Sequence, residues 1–111
     1  MPWPENSDEY TILKSDEYEQ SRDCLTEGLI KALDQKLEYF TKNPKHPSLN
    51  TKPLNPSTKK RKKLEKEGVS RVYEFYVNRK EWRCVVYIFE ELKIVYLVRI
   101  MNHSEVVRHM K

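Results

Sequence analysis

Arg83, Arg99 and His103 are the residues whose types and spacing suggest chemistry. Arg83 and Arg99 interrupt the apolar runs "EWRCVVYIF" and "KIVYLVRIM", and His103 follows Arg99 by four residues, where the last run gives way to the polar "NHSEVVRHMK". An isolated arginine in a strand is ordinarily a solvated or paired surface residue, and a histidine at a strand end is ordinarily a cap or surface group. Two arginines on adjacent strands with a histidine nearby differ from either alone. If the strands pair as the simplest meander, both cations point to one face near the same end of the sheet, and the imidazole can approach them. Such a set can act on a phosphodiester without metal, the guanidinium groups taking up phosphate charge while the imidazole moves a proton.

Other chemistries lack their residues. The chain has two glycines, too few for a phosphate-cradling loop, so ATP-dependent chemistry is excluded. His46, His103 and His109 have no acidic or cysteine partners in ligand spacing, so neither a metal site nor a cofactor is expected. There is no serine-triad signature. Cys24 and Cys84 lie 60 residues apart and match no zinc or redox spacing; both are expected to be reduced, with Cys84 in the core.

Charge is distributed unevenly. Residues 1–40 carry ten acids and four bases, residues 41–64 eight bases and no acid, and residues 65–111 seven acids and nine bases. The middle segment, with "KKRKK" at 59–63, points either to a polyanionic partner, nucleic acid first, or to a solvated lysine-rich surface.

The elements that must position these residues follow from periodicity. At 111 residues and 38% hydrophobic composition, one domain with a modest core is expected over 1–111. Residues 1–9, which include "MPWPENSDE", are expected to form a disordered tail; they lack the pattern of a secretory signal, which predicts a cytoplasmic protein. The longest apolar run, Cys84 to Phe89, is far short of the roughly 20 residues of a spanning helix. "YTILK" reads as a short strand. The following segment places Leu25, Leu29, Ile30, Leu33, Leu37 and Phe40 on one helical stripe, with Ser15 or Asp16 as cap. Gly28 leaves one bent helix or a two-helix hairpin open. The proline-bounded loop "KHPSLNTKPLN" is stiff and is expected to present His46 and Lys52 outward. "PSTKKRKKLEKEG" is either flexible or carries a helical turn. Three apolar runs from residue 69 predict an antiparallel meander with the second strand central, a helical layer on one side and a short terminal helix capped by Asn102 or Ser104. The fold class is α+β, in the order β-α(α)-β-β-β-α.

Taken together, "YFTKNPKHPSLNTKPL", "VNRKEWRCVVYIF" and "LVRIMNHSEVVRHM" resemble the F-x-x-NP-x-HPSL-x-x-K-x-L, VN-x-x-x-x-R and H-x-x-V-Y-R pattern of the RelE/ParE superfamily of bacterial toxins, from about residue 37 to 109. No single motif is specific; their order and spacing carry the likeness. The resemblance implies a RelE-like fold, in which a helical layer packs on a small antiparallel sheet. It also implies a cytoplasmic endoribonuclease acting on mRNA, with or without the ribosome, and held by an antitoxin partner. Arg83 matches a RelE-type arginine, while Arg99 and His103 match an arginine and histidine four apart in a YafQ-like branch. The implied roles are Arg83 and Arg99 on the scissile phosphate and His103 as general acid or base. Lys52, Lys59, Lys60, Arg61, Lys62, Lys63 and Arg79 would hold RNA. Where relatives often carry an aromatic this chain has Val107, and its stretch at 55–68 is longer than the pattern. ParE-like relatives share the fold but poison DNA gyrase without nuclease chemistry, which stands as the alternative function beside an inactive relative.

Overall fold

The near-continuous apolar runs from Arg71 onward call for a sheet buried on both sides, and the rest of the chain is arranged to cover it. The computed structural model describes residues 9–44, 46, 49–78 and 81–111. In chain order the elements are β1 (Thr11–Lys14), α1 (Asp16–Asp23), α2 (Glu27–Lys42), β2 (Lys52–Pro53), α3 (Thr58–Lys66), β3 (Arg71–Asn78), β4 (Trp82–Phe89), β5 (Ile94–Asn102) and α4 (His103–His109). The sheet runs β1-β5-β4-β3-β2. As the meander predicts, β4 lies between β3 and β5 with Cys84 to Ile88 buried throughout.

The sheet is mixed rather than purely antiparallel. β1 pairs parallel to β5, from Thr11 opposite Ile94 to Lys14 opposite Leu97. Tight turns impose antiparallel pairing, and none joins these two strands. β1 leads straight into α1, whose cap Ser15 accepts from the Tyr18 N–H at 2.9 Å, while its own N–H donates to Leu97 O at 3.0 Å and its hydroxyl donates to Val98 O. Where β1 ends, α1 thus takes over the free edge of β5, and Ile100 N–H donates to Ser21 Oγ at 3.0 Å.

The helical segment is a two-helix arrangement, and the break is not at Gly28. α1 ends at Cys24, and α2 restarts at Thr26, whose hydroxyl accepts from Leu29 N–H; Gly28 lies inside the first turn of α2. The spacing of Leu33 and Phe40 sends them into the core with Tyr18, Phe75, Ile88 and Leu97 on one face of the sheet. The opposite face is also covered, which the expected single helical layer omits. Leu64 of α3, Val106 of α4 and Met110, the residue that caps α4, pack there on Val72, Val85, Val98 and Met101. α3 is a full helix where the sequence allowed a flexible stretch or a turn: Ser57 caps it, Leu64 anchors it, and Gly68 with φ of 91° ends it in the left-handed region. Asn102 is the cap of α4 and forms a reciprocal capping box with Glu105. No helix among the described residues is long and apolar enough to cross a membrane.

Candidate active site

The register of β3 on β4 sets Tyr76 opposite Arg83, and alternation puts Glu74, Tyr76 and Arg83 on the face that carries α4. Arg83 Nη1 donates to Glu74 Oε1 at 2.9 Å and contacts Oε2 at 3.4 Å. Only 11% of the Arg83 side chain and 3% of that of Glu74 are exposed. The guanidinium carbon lies 4.8 Å from the centroid of the Tyr76 ring, within cation–π range. β2, only two residues long, sets Lys52 opposite Glu74 and brings its Nζ to 5.4 Å from the same ring centroid and 3.5 Å from Tyr76 Oη. The exposed His103 and Val107 of α4 border the opposite wall. Together Lys52, Glu74, Tyr76, Arg83, His103 and Val107 line a cleft of about 610 Å³. Burial raises the Glu74 carboxyl above the usual carboxylate range, against the lowering influence of Arg83, His103 and Lys52.

Arg99 reaches the same face by a device that simple alternation does not supply. Val86 pairs with Leu97 but Val85 pairs with Arg99, so Val98 is an extra residue in β5. This bulge shifts the phase of β5 and turns Arg99 and Met101 toward α4, where an unbroken strand would have aimed them at α1 and α2. Arg83 and Arg99 therefore share a face, yet they do not share a cleft. Val106 and Met110 bind α4 down onto the sheet, and the helix then presents His103 and Val107 to the Arg83 side and Glu105, Arg108 and His109 to the Arg99 side. Arg99, 46% exposed, pairs with Glu105 at 3.3 Å in a separate concavity of about 350 Å³.

No protein-family model matches the chain, and no curated protein matches it in sequence. Solved structures do. The chain is similar to RelE in the archaeal RelE–RelB complex from Pyrococcus horikoshii OT3, with a TM-score of 0.61 and 8% identity over 86% of this chain and 96% of that one. It is similar to YafQ from E. coli strain BL21(DE3), with a TM-score of 0.62 and 14% identity over 88% of this chain and 98% of the other. It also matches the E. coli DinJ–YafQ toxin-antitoxin complex, with a TM-score of 0.60 and 15% identity over 87% and 96% of the respective chains. The chain has the RelE toxin fold. At these identities the likeness is one of architecture.

On this RelE-like scaffold the basic residues divide by element. Lys52 is exposed at the cleft, whereas His46, expected to point outward, is half-buried with its ring stacked on Tyr39 at 4.4 Å between centroids. Between them, Leu49 is buried and Asn50 takes a left-handed φ of 50°, a conformation asparagine tolerates, so the loop is pinned to the core immediately before Lys52. Lys59, Lys60, Arg61, Lys62 and Lys63 ride on α3, and none of them lines the Arg83 cleft. Arg61 lines a groove with Leu54, Leu64 and Tyr73. Arg79 lies outside the described residues.

Two groups escaped sequence reasoning. Glu74 and Tyr76 sit within "VYEFYV", where an acid in the middle of an apolar strand was the available signal. The second group is Tyr87 and His109, joined by a 2.6 Å contact between Tyr87 Oη and His109 Nε2. Burial raises the Tyr87 hydroxyl to about 12 and lowers His109, which the positive charges of Lys60, Arg99 and Lys63 lower further while Glu17 opposes. With the hydroxyl protonated and the ring neutral, the two share one hydrogen bond whose direction is set by the imidazole tautomer.

Proposed function

We propose that this protein is the toxin of a toxin-antitoxin pair and an endoribonuclease that cleaves mRNA without a metal ion, at the cleft between β4 and α4. The observation that carries this reading is the convergence of Lys52, Arg83 and His103 on one cleft of a RelE-like fold. Metal-free RNA cleavage needs three things: a cation for the phosphate, a group that removes the 2′-OH proton and a group that protonates the departing 5′ oxygen. The 2′ oxygen attacks phosphorus, the P–O5′ bond breaks, and a 2′,3′-cyclic phosphate and a 5′-hydroxyl result. Lys52 and Arg83 meet the negative charge that grows on the phosphate, and His103, exposed at the mouth, takes the proton from the attacking 2′-OH and then delivers it to the departing O5′. Arg99, across α4 from the cleft, extends the positive surface for the strand, and the α3 cations with Arg79 hold RNA by its backbone.

The partner follows from the same likeness. One similar structure holds RelE with RelB, and another is a toxin-antitoxin complex of YafQ with DinJ. For this chain the inferred partner is an antitoxin encoded alongside it, and the place of action is the cytoplasm, on mRNA free or ribosome-bound. Expression of the chain alone in a bacterium should therefore arrest growth with loss of intact mRNA, and co-expression of the neighbouring gene should restore both. Normal growth at verified soluble expression would overturn the toxin reading; arrest with intact mRNA and inhibited gyrase supercoiling would replace the nuclease with a gyrase poison.

A further inference from the structure

Glu74 is the one acid among the described residues that line the cleft, and it stands among Lys52, Arg83, His103 and Lys111. It is almost fully buried, and both its oxygens face a single nitrogen of Arg83, at 2.9 and 3.4 Å. A buried ion pair is a poor way to gain stability, since apolar side chains of similar volume do as well or better, and Val72 and Val85 fill neighbouring positions on this face. A carboxylate beneath a phosphate site also weakens attraction for RNA. Its placement makes sense if what it supplies is geometry.

We propose that Glu74 is the positioning residue for Arg83, a resident counter-ion that holds the guanidinium against Tyr76 and limits how strongly it binds RNA before reaction. This rests on the nuclease reading of the same cleft. Arg83 is shared between Glu74 and the incoming phosphate. The pentacoordinate transition state carries more negative charge than the ground-state diester, so a held guanidinium gains more from the former than from the latter. Without the Glu74 charge the guanidinium swings to the ground-state phosphate: affinity rises and the chemical step slows.

The test is Glu74→Gln, which keeps shape and removes charge. Binding of an uncleavable 2′-O-methyl oligoribonucleotide should tighten by about three- to tenfold, one nearby charge being worth about that much in a partly solvated site. The single-turnover cleavage rate at saturating RNA should fall by about tenfold or more, as for a displaced catalytic group. Both effects should vanish in an Arg83→Ala background, because Glu74 acts through Arg83. Glu74→Asp, which keeps the charge but withdraws it by one methylene, should slow cleavage without tightening binding, and it serves if Glu74→Gln fails to fold. Unchanged affinity in Glu74→Gln, or effects that persist without Arg83, would overturn the proposal. If the wild type cleaves no RNA, the nuclease reading fails and the positioning role with it.

Discussion

A cation at the floor of a cleft can stabilise a transition state only if its position is fixed before the substrate arrives. Arg83 has the means: Glu74 in front of it, Tyr76 beneath it and a strand on either side. His109, across α4, shows the opposite use of burial. Its neutral ring shares a hydrogen bond with Tyr87, and both burial and neighbouring cations oppose its protonation. With its folded-state value depressed, the unfolded chain takes up the proton first as pH falls. Stability is therefore lost below about pH 6.5 and recovered as pH rises through that value. His109→Gln, which cannot charge, should remove this part of the pH dependence. Urea midpoints between pH 5 and 8 should diverge between wild type and variant toward pH 8, with the wild type the more stable there, and converge toward pH 5. Parallel curves would mean that His109 titrates as it does in water.

α3 is built against its own electrostatics. Lys59, Lys60 and Arg61 crowd a first turn that has no acid, beside the positive end of the helix dipole, so packing of Leu64 and the Ser57 cap must hold the helix despite the repulsion. Lys59→Glu should stabilise the fold by about 0.3–1 kcal/mol in thermal or urea unfolding. The same change should weaken RNA binding and flatten its salt dependence by about 0.7 in log–log slope, the value for one single-strand phosphate that the lysine no longer neutralises. Tighter stability with unchanged binding would assign α3 to the solvated surface. How much of this was legible depended on whether local pattern or distant contact decided each element. The three long strands, the stripe of α2 and the Asn102 cap follow from periodicity and capping residues, and they are present. The parallel edge of β1 and the bulge at Val98 depend on contacts more than 80 residues apart in sequence, such as the Ser15 hydroxyl on Val98 O, to which no local pattern points. That bulge decides which face receives Arg99, so the phase of β5 could not be read by alternation alone.

The molecule as a whole separates two jobs across one sheet. The face under α1 and α2 carries most of the large buried side chains, including Tyr18, Leu33, Phe40 and Phe75, and secures the fold. The other face carries two short helices and leaves open the cleft, with Lys52 in it, and the concavity beside it, where the charges of Lys60 and Lys63 act on His109. That Arg83 and His103 could come together was legible from residue type and spacing, but their separation from Arg99 by α4 is visible only once the helix is folded back on Val85 and Met101. Under the proposed function, this cleft is a ribonuclease centre with His103 as its proton carrier. The most direct measurement compares wild type with folded His103→Ala, mapping new 5′-hydroxyl ends on mRNA in the presence and absence of translating ribosomes. Cleavage by the wild type should fall by roughly 10² to 10⁴ in the variant, the usual contribution of a positioned acid or base, with RNA affinity nearly unchanged. Equal cleavage by the two proteins, or cleavage by neither, would contradict it.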